Sequence, residues 1–175
     1  VIEDRRTGDE IPFEMTQTCP ICGSTLDRKE TEAAYYCVNE HCDAKKIEGL
    51  IHFVSRNSMN IDGFGDRIIE DFYNMGYLKS LVDFYDLHKY KEELMELEGF
   101  GEKKIQNLLD SIEQSKENSL ERLLFALGIR YVGSKTAKIL AQQFKTMDTL
   151  MEQDFESLNQ VKDIGDVIAK SIVNY

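Results

Sequence analysis

The sequence predicts a mainly α protein in which a small four-cysteine β-ribbon precedes an all-α domain of four helix-hairpin-helix motifs. Three observations predict it. All four cysteines fall between residues 19 and 42. Four glycines, Gly65, Gly101, Gly133 and Gly165, recur 36, 32 and 32 residues apart, each four residues ahead of an apolar one (Ile69, Ile105, Ala137, Ala169). From residue 44 onward the apolar residues keep helical spacing, with almost no strand alternation. Repeats of this period mark a recurring supersecondary unit.

The first stretch, residues 1–14, reads as a strand, a Gly8-Asp9 turn and a second strand stopped by Pro12. It is too short to fold alone and looks like the tail of a preceding β-domain. Tyr175 falls inside a helical pattern, so a fragment of a longer chain is expected.

The cysteines follow as Cys19-x2-Cys22-x14-Cys37-x4-Cys42. Two close pairs joined by a short arm can converge their thiolates on one tetrahedral Zn²⁺. Gly23 permits the tight turn after the first pair, and Tyr35, Tyr36 and Val38 supply strand formers before the second. A site closed by four sulfurs leaves no position for water, so the metal is expected to be structural. Two disulfides are one alternative; His41 in place of one sulfur is another. His52 and His88 read as ordinary helix or turn residues.

The helical repeats come next. Hairpin one is Ile61-Asp62-Gly63-Phe64-Gly65, opening a helix over 66–74, and hairpin two is Leu97-Glu98-Gly99-Phe100-Gly101, opening one over 102–118. In hairpin three, Ile129-Arg130-Tyr131-Val132-Gly133, Tyr131 replaces the first glycine and a helix over 134–144 follows. In hairpin four, Val161-Lys162-Asp163-Ile164-Gly165, Asp163 takes that place before a helix over 166–175. The preceding helices are expected over 44–56 and 119–127, with shorter pieces at 79–87, 89–96, 146–151 and 155–160. Both glycines of a pair are expected to serve positive φ and close backbone approach, with the apolar residue between them anchoring the loop. On that basis Gly133→Val should strain hairpin three.

A turn feeding a helix N-terminus is a seat for a phosphate. The net charge of −11 excludes a clamp that works through a basic field. The charge is uneven: residues 61–126 hold eight basic against fifteen acidic side chains, whereas 127–175 hold six of each. Contact with a nucleic-acid backbone must then use N–H groups and a few placed cations. Asp66 and Glu102 open their helices and would repel a phosphate, while Arg130, Lys135 and Lys138 surround hairpin three. The candidate contacts are Gly63, Gly65, Gly99, Gly101, Arg130, Gly133, Lys135, Lys138 and Gly165. Asn60-Ile61-Asp62-Gly63 imitates the Lys-x-Asp-Gly motif of nucleotidyl transferases, but Asn60 lacks the amine for a phosphoramidate. No catalytic residues are expected in this chain. No run approaches a membrane span, and a cytoplasmic monomer is expected.

In this order the parts resemble the C-terminal half of bacterial NAD-dependent DNA ligases. The resemblance rests on Arg6-Thr7-Gly8-Asp9-Glu10-Ile11-Pro12, similar to the close of the oligonucleotide-binding barrel, on the spacing of the four cysteines, and on Leu127-Gly128-Ile129-Arg130-Tyr131-Val132-Gly133. It implies a barrel tail at 1–14, a four-cysteine zinc finger at 15–43 and a helix-hairpin-helix domain at 44–175. It further implies a parent enzyme that seals nicks in DNA replication and repair, with NAD and Mg²⁺ used only in domains absent here. The portion in hand would be inactive alone and would hold nicked duplex by its minor-groove backbone, in the bacterial nucleoid. Rival readings are a stand-alone repair or recombination module and a helical protein-interaction scaffold.

Overall fold

The computed structural model describes residues 8, 11, 13–28 and 33–175, and the chain divides into two compact units, Val1–Lys45 and Lys46–Tyr175. The strands expected within residues 1–14 lie largely outside the described residues.

In the first unit, β1 (Leu26–Asp27) pairs antiparallel with β2 (Tyr36–Cys37), Leu26 opposite Cys37 and Asp27 opposite Tyr36. A bridge between Thr18 and Thr25 brings the segment before the first cysteine alongside. Gly23, with φ of 71°, makes the turn between them, and its N–H donates to the Cys19 carbonyl at 2.9 Å. The apolar side chains buried among the described residues of this unit are Cys19 and Cys42. Ordinary hydrophobic packing therefore contributes little to its stability.

Ten α-helices are described: α1 (Asp43–Val54), α2 (Asp66–Met75), α3 (Asp83–Asp86), α4 (Lys91–Met95), α5 (Glu102–Ser115), α6 (Leu120–Ala126), α7 (Ser134–Phe144), α8 (Met147–Met151), α9 (Phe155–Asn159) and α10 (Asp166–Asn174). The expected helix at 79–87 begins late. The Asp83 carboxylate accepts the N–H groups of Lys79 and Ser80, both at 2.7 Å, and closes a turn where the helix would have started. The piece expected at 89–96 splits into a 3₁₀ turn, Leu87–Tyr90, and α4. Helices α8 and α9 start at side-chain caps. Thr146 Oγ1 accepts from the Thr149 N–H, and Asp154 Oδ1 accepts from that of Ser157, which holds the Asp154 carboxyl below its usual range. Ser119 is the N-cap of α6, but its hydroxyl makes no capping bond.

The second unit has two cores. The first gathers hairpins one and two around Phe64, Phe72 and Phe84, with the Phe64 and Phe84 rings edge to face at 5.2 Å. The second gathers hairpins three and four around Val132, Ala137, Leu140, Leu158, Ile164 and Ala169. Helix α6 belongs to both: Leu124 lies in the second core, Ala126 in the first, and Leu123 packs against the first. Polar bonds reinforce the junction. His52 Nε2 lies 2.9 Å from the Phe125 carbonyl, Asn118 donates to the Met59 carbonyl at 2.7 Å, and Arg122 donates to that of Arg56 at 2.6 Å.

Candidate metal centre and nucleic-acid interface

The sulfurs of Cys19, Cys22, Cys37 and Cys42 all lie within 4.8 Å of one another. Four sulfurs each about 2.3 Å from a central zinc would be about 3.8 Å apart. The observed Cys19–Cys42 and Cys22–Cys37 separations are 3.9 and 3.4 Å. Both are far beyond a disulfide bond of about 2.05 Å, and all four cysteines are free. The donor set therefore fits a single tetrahedral thiophilic ion. Hydrogen bonds from the Ser24 side chain and backbone hold the Cys22 thiol down at about 6, while burial pushes that of Cys37 up to about 11. Of these two sulfurs, Cys22 ionises first. His41 is exposed in a turn, its N–H donating to Asn39 Oδ1 at 2.9 Å, and it stands outside the sulfur cluster.

The four hairpin tips share one backbone. The residue two before each helix-opening glycine is left-handed in every case: Gly63 has φ of 91°, Gly99 79°, Tyr131 67° and Asp163 69°. The next residue turns inward, with Phe64, Val132 and Ile164 buried and Phe100 half-buried. In hairpins two, three and four its N–H donates to the carbonyl three residues back, that of Leu97, Ile129 and Val161 in turn, which closes a turn around the left-handed residue.

The second glycines correct a sequence expectation. Gly65, Gly101, Gly133 and Gly165 have φ of −77°, −95°, −82° and −95°, ordinary extended backbone, and each is the N-cap of its helix. Positive φ belongs only to the first position of each pair. Gly133→Val would not force a strained φ, and a Cβ at any of the four N-caps would meet no protein atom within 4 Å. Glycine here brings no side-chain acceptor to the helix end. The first N–H groups of each helix stay open to an outside anion.

The charges at these tips differ. Asp66, Glu102 and Asp166 stand in the first turns of α2, α5 and α10, whereas α7 has no acidic residue there. Lys135 and Lys138 are exposed and line a cleft of about 430 Å³ together with Ser134, Asn57, Glu121 and Arg122. Arg130 is also exposed; its carbonyl accepts from Ser171 Oγ at 2.6 Å, which ties hairpin three to α10. Sequence reading missed Asn57 and Arg122, which reach the cleft only because α6 packs beside the end of α1. No local pattern marks them.

Residues 18–44 match the family model of the NAD-dependent DNA ligase C4 zinc finger domain, and residues 122–175 that of the helix-hairpin-helix motif. The whole chain is 50% identical, over 175 residues, to a DNA ligase of Brevibacillus brevis, covering 26% of that protein. A DNA ligase of Oceanobacillus iheyensis is 51% identical over 174 residues and one of Shouchella clausii 53% over 175, each with 26% of the relative covered. The chain thus spans about a quarter of the length of the curated relatives it matches.

Proposed function

We propose, for a chain similar over its whole length to about a quarter of a DNA ligase, that it is the duplex-gripping portion of an NAD-dependent nick-sealing enzyme. Residues 15–43 hold one structural Zn²⁺ through Cys19, Cys22, Cys37 and Cys42, and residues 44–175 present the hairpins to the minor-groove phosphates. The adenylating lysine, NAD and Mg²⁺ belong to other parts of the longer protein, so this portion is inactive by itself and binds as a monomer.

The observation that carries the reading is the exposed glycine N-cap repeated at four helices, each with open space where a side chain would stand. A phosphate can then approach the backbone N–H groups directly, favoured by the partial positive charge of the helix end. Hairpin three is the main contact, because Lys135 and Lys138 add charge where the other helices begin with a carboxylate. Such contacts grip any sequence, since phosphates position a protein without specifying bases.

Fluorescence anisotropy with a nicked duplex, against an unnicked duplex of the same sequence, tests this. Binding is expected to weaken as salt rises, whatever the sequence, with a preference for the nick. Replacing Lys135 and Lys138 by Gln should weaken binding and lower the slope of log K against log salt by about 2. Gly133→Ala should change stability by no more than about 1 kcal/mol, since the new Cβ meets open space at an N-cap, yet should weaken binding by standing in the phosphate's path. Absence of binding at low salt would favour a helical scaffold for a protein partner.

A further inference from the structure

Hairpin four carries a carboxylate at the position where hairpins one and two carry glycine. The shared left-handed conformation at Gly63, Gly99, Tyr131 and Asp163 makes these four positions equivalent. Aspartate tolerates this conformation better than most residues, but glycine is freer still. The backbone alone therefore does not call for an acid at residue 163. Asp163 Oδ2 lies 3.6 Å from Lys135 Nζ, with the two side chains 51% and 82% exposed. An ion pair this open and this long is a poor brace. Its position is what distinguishes it. Lys135 is the second residue of α7, whose first turn is free of acidic residues, so the best-charged phosphate seat on the hairpin edge is faced by an anion from the neighbouring hairpin.

Resting on the reading that hairpin three grips backbone phosphate, we infer that Asp163 is an intramolecular competitor for that seat. It neutralises Lys135 while no nucleic acid is bound and is displaced when a phosphate arrives. Its charge also repels a phosphate lodged at α7. The carboxylate thereby loosens the grip of the portion as a whole, which favours release of the duplex.

The test is anisotropy of a nicked duplex at low salt with Asp163→Asn, an exchange that keeps the side chain's shape and suits the left-handed backbone. Asp163→Gly serves as a second variant should the first melt early. The expected result is binding about three- to ten-fold tighter, a gain that fades at high salt. Placed on Lys135→Gln, the same exchange should give less than half that gain. Unchanged or weaker binding by both Asp163 variants overturns the competitor and makes Asp163 a brace for Lys135. If the unaltered chain binds no duplex, or Lys135→Gln binds as the unaltered chain does, the phosphate grip at hairpin three fails first and takes the competitor with it.

Discussion

Removal of the metal by a chelator is expected to unfold residues 15–43 while the helices from α2 onward persist. The reason lies in what holds that unit. Each of its strands has two residues, and its buried apolar side chains among the described residues are two of the cysteines themselves. With no ion, the clustered thiols lose the bonds that bring the first and last cysteine, 23 residues apart, to 3.9 Å. Structural zinc sites bind with about 10–16 kcal/mol in small finger peptides, and that energy is the folding energy. Cys42→Ser should act as chelation does. Backbone chemical shifts give the readout: resonances around Cys37 should collapse toward random-coil values, while those of α5 and α7 stay in place. Shifts near Cys37 that survived chelation would refute the metal's role.

Gly63→Ala is expected to destabilise the helical unit by about 2–6 kcal/mol, from two causes that act together. Gly63 has φ of 91°, where an alanine is strained by about 1–3 kcal/mol. A Cβ there would also fall 2.6 Å from Leu108 Cδ2, and Leu108 is a buried member of the first core on α5. Overpacking of this kind costs about 1–3 kcal/mol. Gly99→Ala separates the causes: its φ is 79° but its Cβ would meet nothing within 4 Å, so it should cost only the strain. Thermal melting of the two variants should rank them in that order, and equal melting temperatures would mean that Leu108 moves aside freely.

The elements that could be read from the sequence are those whose signals are local. Helix α7 runs from Ser134 to Phe144 as expected, because a glycine stands immediately before it and its apolar residues keep one face. The cysteine cluster was legible for the same reason, since spacing alone constrains four ligands around one ion. Within each glycine pair, the sequence could not tell which member takes positive φ. Both are compatible with it, and only the closed turn decides. The helix expected from residue 79 starts only at Asp83, because that carboxylate reaches back to close the turn before it. The Asp163–Lys135 pair joins residues of different hairpins, and the His52–Phe125 bond spans 73 positions. Neither leaves a trace in any window of sequence.

Helix α6 has seven residues, too few to be stable in water by themselves. It exists because cores on both sides of it supply walls. A gene fragment beginning at residue 122, where the helix-hairpin-helix match starts, would carry Leu124 into its own interior. The same fragment would leave Leu123 and Ala126 uncovered, along with a Phe125 carbonyl that has lost His52. The two hairpin pairs are thus fused at a party wall, and shuffling or engineering that treats either pair as a portable module breaks the helix both depend on. Lineages that inherit hairpins three and four must inherit hairpins one and two with them, or else rebuild the far side of α6 for solvent.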